Sequence, residues 1–141
     1  METVTASRTF EVSPETIRET IRDDVPAFVR ASGFDRVDVD GDQLTVARNI
    51  GLATFELTLE TRDTPHVLAL DQVEGIFDTM WTEYQVRPAD VGATLTATTE
   101  FTLGRVLGPV LDGTMIQKRR TEEFEWQFDY LADRLQPTEA A

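Results

Sequence analysis

From Phe34 to Leu103 the chain reads as a succession of short strand-like segments divided by turns, and a long apolar rhythm of helical period follows. This order constrains the fold more than any other feature of the sequence. Consecutive strands joined by short turns pair antiparallel. A sheet with one apolar face must bury that face against another layer, and the closing helix is nearly all that remains to cover it.

The individual segments support this order. Over Thr3–Val12, Val4, Ala6, Phe10 and Val12 share one face, the pattern of a half-buried strand. Ser13-Pro14-Glu15 is a helix start, with Ser as N-cap and Pro at the first helical position. Ile17 and Ile21 lie on a short helix ending near Asp23, and Pro26 opens a second that carries Phe28 and Val29 and closes at Gly33. Val37 and Val39 lead into Asp40-Gly41, a hairpin signal, and Leu44, Val46 and Ile50 continue beyond it. Gly51 marks the next break, after which Phe55, Leu57 and Leu59 alternate with threonine and glutamate. Thr64-Pro65 turns the chain into a strand from His66 to Glu74. Asp78–Arg87 follows, with Met80, Thr82, Tyr84 and Val86 on one parity, and then Ala93–Leu103, with Leu95, Ala97 and Phe101 on one parity.

The helical rhythm runs through Leu107, Val110, Leu111, Met115, Phe124, Phe128, Leu131 and Leu135. Uninterrupted from Arg105 to Leu135, such a helix is about 45 Å long. Gly108, Pro109 and Gly113 break the pattern: either they leave room for a ligand, or the regular helix begins only after Gly113. Trp126 and Tyr130, four apart, are expected to clamp the helix to the sheet.

Composition excludes several classes of function. At 141 residues the chain is expected to form one domain. It has no cysteine, which removes disulfides and thiol chemistry, and its single histidine, His66, rules out a multi-histidine metal site. No apolar run approaches membrane-spanning length and METVTASRTF lacks a signal-peptide core, so a cytoplasmic protein is expected. A net charge of −13 disfavours nucleic acid and anionic lipid as partners. Lys118 is the only lysine beside twelve arginines and twenty threonines, a balance similar to that of proteins from salt-in halophiles; an acidic mesophilic protein is the alternative. Self-repulsion in so acidic a chain weakens the compact state unless salt screens it.

The segments "RTFEVSPETI" and "GIFDTMWTEYQVRP", with a closing helix ending "FDYLADRL", resemble the START-like helix-grip superfamily, also called SRPBCC. This superfamily includes plant pollen allergen relatives and polyketide cyclases. The resemblance spans roughly Thr3 to Leu135 and implies an α+β fold, in which a curved antiparallel sheet of about seven strands grips the C-terminal helix. "GIFDTMWTEYQVRP" is also similar to a quinone-binding coenzyme-Q-type group, from which the closing helix departs.

In such a fold the gap between helix and curved sheet can reach the size of a ligand pocket. The apolar parities offer Phe55, Leu57, Met80, Tyr84, Leu95, Phe101, Leu111 and Met115 as its lining, or else as plain core. Polar residues on apolar parities say more, because burying them unpaired is costly. These are Arg8, Arg48, Gln72 and Glu74, which either orient a polar ligand head together with Tyr84 or sit at the solvated rim. Other candidates are weaker. His66 belongs to a turn, Asp38, Asp40 and Asp42 to a hairpin rather than a calcium loop, and Lys118-Arg119-Arg120 with Glu122 and Glu123 to a solvated helix face.

No cofactor motif is present. The expected function is binding of a hydrophobic small molecule (a lipid, isoprenoid or polyketide-like compound). The alternatives are a cyclase, aromatase or dehydratase using Glu74 as base with Tyr84 or Arg48, a quinone-binding accessory protein, or recognition of a protein partner.

Overall fold

A computed structural model describes residues 2–50, 52–103 and 113–135. In chain order its elements are β1 (Glu2–Phe10), α1 (Pro14–Asp23), α2 (Val25–Arg30), β2 (Arg36–Asp40), β3 (Gln43–Ile50), β4 (Ala53–Thr61), β5 (Leu68–Glu74), β6 (Phe77–Pro88), β7 (Ala93–Leu103) and α3 (Gly113–Leu135). The strands form one curved antiparallel sheet in the order β1-β7-β6-β5-β4-β3-β2. The α1–α2 pair carries the chain from one sheet edge to the other, and the strands then meander back until β7 lies beside β1. This is the α+β arrangement expected from the element order.

Local chemistry accounts for the boundaries. The Ser13 hydroxyl accepts from the Thr16 amide at 3.2 Å and caps α1, whose Ile17 and Ile21 are fully buried. Asp24 caps α2 in the same way, accepting from the Ala27 amide at 3.1 Å. The β2–β3 loop is Gly41-Asp42, one residue later than expected, because Asp40 still pairs with Gln43. Gly41, at φ 60°, takes the positive-φ position of that two-residue turn.

On the outer face of the β1–β7 ribbon, Ser7 pairs with Thr96 at 2.9 Å and Thr9 with Thr94 at 2.8 Å, so part of the threonine content is cross-strand pairing.

Two register shifts change which residues face inward. Thr58 pairs with Glu74 but Leu59 pairs with Gln72, so Val73 is an extra residue in β5 and is 43% exposed. Because side chains alternate with period two, the bulge turns Glu74 outward beside Thr58. A second shift in β6 makes Asp78 the extra residue and leaves Phe77 buried, against the parity read from Met80 and Tyr84.

The position of α3 decides where the interior is solid. Its close packing is against β1, β7, α1 and α2. There Val4, Phe10, Leu95, Ala97 and Phe101 join Phe124, Phe128 and Leu131 in the buried core. Arg8 fixes this contact from above. It donates to Asp129 at 2.9 Å and to Glu125 at 2.7 Å, and its guanidinium lies 5.3 Å from the Phe128 ring centre. Desolvation draws its pKa down, but the bonds and charges of Asp129 and Glu125 outweigh that and leave it raised. Leu107, Gly108, Pro109, Val110 and Leu111 lie outside the described residues. The described helix of 23 residues is about 35 Å long.

Candidate functional site

Because α3 rests over the β1–β7 side, the half of the sheet formed by β3–β6 is not filled by it. A cavity of about 300 Å³ lies there, at the lower end of the range of ligand pockets. β4 contributes Phe55, Leu57 and Leu59, β5 contributes Leu70, and β6 contributes Phe77, Met80, Thr82 and Tyr84. Val29, Ser32, Phe34 and Ile76 close the sides. Met115, Ile116, Arg119, Arg120, Glu123 and Gln127 of α3 line it with Arg48 of β3.

The polar part of this lining is a buried ion group. Glu123 is 4% exposed and accepts from two arginines, with Oε2 2.7 Å from Arg48 Nη1 and Oε1 2.6 Å from Arg120 Nη1. Arg48 also donates from Nη2 to the Ser32 carbonyl at 3.0 Å, and Arg120 from Nη2 to the Thr82 hydroxyl at 3.0 Å. The Nε groups of both arginines are buried and have no partner. Burial pushes the Arg48 guanidinium below arginine's usual range; Glu123 pulls it back up, and Arg119 and Arg120 add repulsion. Arg48 stacks 5.2 Å from the Phe34 ring centre and Arg120 4.9 Å from that of Phe124.

Tyr84 stands beside this group and is 2% exposed. Its hydroxyl donates to Gln127 Oε1 at 2.8 Å, and Gln127 Nε2 donates to the Phe28 carbonyl at 3.1 Å. Burial pushes the phenol up to about 12. Its ring meets Phe28 edge-on at 4.9 Å. Both ends of the Tyr84 hydrogen-bond chain are therefore satisfied within the protein.

The sequence from residue 1 to 136 matches the family described as "Polyketide cyclase / dehydrase and lipid transport". The chain belongs to this family. Solved structures agree on the fold. The protein TTHA0849 from Thermus thermophilus superposes with a TM-score of 0.74 at 14% identity, over 95% of this chain and 99% of that one. A START superfamily protein from Mycobacterium smegmatis gives 0.72 at 14%, over 94% and 96%. Norcoclaurine synthase from Thalictrum flavum, solved with dopamine and hydroxybenzaldehyde, gives 0.64 at 10%, over 96% and 89%. No curated protein matches.

Within this family fold the residues singled out from sequence separate into two groups. Arg48, Phe55, Leu57, Met80, Tyr84 and Met115 line the cavity. Leu95 and Phe101 do not; both are fully buried in the core, and the Phe101 ring stands behind the cavity-lining Phe77, with ring centres 5.4 Å apart. Arg8 faces the side of the helix and is held by Glu125 and Asp129. Gln72 braces the β5–β6 turn, donating to the Phe77 carbonyl at 2.8 Å and accepting from the Phe77 amide at 3.2 Å. Gly75 lies against this brace, where a Cβ would fall 2.5 Å from Gln72 Oε1 and Leu57 Cδ2 and displace those side-chain ends. Glu74 is exposed, so the acid–base pair expected of it with Tyr84 or Arg48 does not form. Leu111 lies outside the described residues.

The arginine–glutamate pair exists, but its acid is Glu123. The expected solvated helix face holds for Lys118, which is exposed, and for Arg119 and Glu122, which meet at 3.9 Å. Arg120 and Glu123 turn inward because they share a stripe with Ile116 and Gln127 at helical spacing. Trp126 and Tyr130 also depart from the expected clamp. Trp126 covers Gly33, where a Cβ would come within 2.8 Å of its ring, and Tyr130 packs 6.4 Å from Phe28. Both secure α3 to the α2 side rather than to the sheet. Among the described residues no cluster of three or more His, Cys, Asp or Glu could hold a metal, and no helix is long and apolar enough to cross a membrane.

Proposed function

We propose that this protein binds a hydrophobic small molecule between α3 and the β3–β6 half of the sheet. The observation that carries the reading is the cavity of about 300 Å³, whose sheet-side wall is mostly apolar. Phe55, Leu57, Met80 and Met115 form the apolar contacts, and Arg48 and Tyr84 stand at the polar end. The family's description, which joins polyketide chemistry with lipid transport, is consistent with such a ligand. Catalysis has less support. Both Glu123 oxygens are held by arginines, Tyr84 is held by Gln127, and Glu74 faces solvent. The net charge of −13 further fits a protein that folds and works in concentrated salt.

Two measurements test the reading. Protein purified in molar KCl is extracted with organic solvent and the extract examined by mass spectrometry, where a stoichiometric apolar compound is expected. Separately, the neutral fluorophore N-phenyl-1-naphthylamine is titrated into extracted protein. Saturable enhancement that Met80→Trp abolishes supports the cavity as the site. An empty extract together with no enhancement refutes it.

A further inference from the structure

The cavity's charge does not balance. Two buried guanidiniums, Arg48 and Arg120, share the single carboxylate of Glu123, and each retains a buried Nε–H with no acceptor. Arg119 also reaches the lining, but it is exposed and paired with Glu122 at 3.9 Å, so the excess is that of Arg48 and Arg120 over Glu123. Among the described residues that line the cavity, Glu123 is the only acid. Unpaired buried charge and unmet buried donors are unfavourable in an apolar surround. Two lining arginines against one lining carboxylate leave a positive charge that an anionic group would balance. The ion group lies against α3 and the start of the wall formed by Thr82 and Tyr84, with the apolar remainder of the lining supplied by β4–β6.

We infer that the ligand is an amphipathic acid: an apolar body lying along β4–β6 and one carboxylate-like head docked on Arg48 and Arg120. This rests on the proposed ligand-binding function and narrows it to a ligand class. The head would balance the positive charge that Glu123 leaves over, in charge-assisted bonds of the kind guanidiniums form readily. Glu123 holds the two arginines apart and prevents their full mutual repulsion while the site is empty.

The test compares decanoate with decan-1-ol, which present the same chain with and without charge. Each competes with N-phenyl-1-naphthylamine at pH 7.5, where decanoate is ionised. Wild-type protein is expected to bind decanoate at least tenfold more tightly than decan-1-ol. The triple variant Arg48→Met/Glu123→Met/Arg120→Met replaces the ion group with apolar side chains, a kind of change that folded proteins often tolerate. Whatever its affinity for the fluorophore, its ratio of decanoate to decan-1-ol affinity should fall to one or below. Equal or weaker binding of decanoate by the wild type, with fluorophore and alcohol both bound, overturns the acid inference and leaves the cavity reading standing. Failure of fluorophore, alcohol and acid alike overturns both.

Discussion

Replacing Glu123 by glutamine should be among the most damaging single changes in this protein, although the residue lies in a stretch that reads from sequence as solvated helix surface. The side chains of Arg48 and Glu123 are only 8% and 6% exposed, and that of Arg120 is 11% exposed. At separations of about 4 Å and an effective dielectric near 20, each unit-charge pair interacts by roughly 4 kcal/mol before desolvation is counted. Breaking a buried pair by removing one partner typically costs about 3–5 kcal/mol. Here the loss leaves two guanidiniums facing each other, so the upper part of that range is expected. For a domain of this size each kcal/mol moves the midpoint by about 3 °C, giving a fall in Tm of roughly 10–15 °C. Urea titrations followed by circular dichroism measure the free energy directly. Since buried pairs are screened little, the deficit should persist in molar KCl. The triple methionine variant should instead lie within about 1 kcal/mol of wild type, or above it. A Glu123→Gln loss below about 1 kcal/mol, or one that disappears in salt, would show an exposed pair and refute the reasoning.

Three further outcomes are expected. Tyr84 is raised to about 12 by burial, whereas an unfolded tyrosine titrates near 10. The unfolded state therefore loses its proton first: stability from this group is intact below pH 10 and is lost as pH rises toward 12, by about 2–3 kcal/mol in all. Tyr84→Phe should flatten that part of the stability–pH curve, and ultraviolet titration should show a late ionisation that Tyr84→Phe removes. Leu95→Ala, under the helix contact, should cost about 2–5 kcal/mol while leaving N-phenyl-1-naphthylamine affinity unchanged wherever the protein is folded; a large affinity change would place Leu95 in the cavity. With a net charge of −13, Tm should climb steadily from dilute buffer to molar KCl, and a flat response would remove the case for salt adaptation.

Much of the fold was legible because each element carries its own period. The alternation around Leu57 and Leu59, the Ser13-Pro14 start and the Leu131–Leu135 rhythm all report local geometry, and each became the element it implied. The element order then determined antiparallel pairing without reference to any long-range contact. What alternation cannot report is a single extra residue. The bulges at Val73 and Asp78 leave the strands intact but reverse which side of the sheet follows them. They move Glu74 out and bring Phe77 in, so an inferred catalytic base was lost and a wall of the cavity was missed.

The cavity's polar end was hidden for a different reason. Arg120, Glu123 and Gln127 continue the inward stripe of Ile116 at helical spacing, but their residue types read as surface, and Lys118, Arg119 and Glu122 around them do lie outward. The usable signal was a gap: the apolar rhythm stops after Met115 and Ile116 and resumes at Phe124, although the helix must cover the sheet throughout that span. A helix that turns charge inward over a sheet position already carrying Arg48 has two explanations, mutual pairing or a missing partner. Mutual pairing accounts for Glu123 but leaves two Nε–H groups and one positive charge over, and the same stripe stands over the part of the sheet that the helix does not fill. Charge excess and empty volume coincide at one place, and a ligand with an acidic head satisfies both.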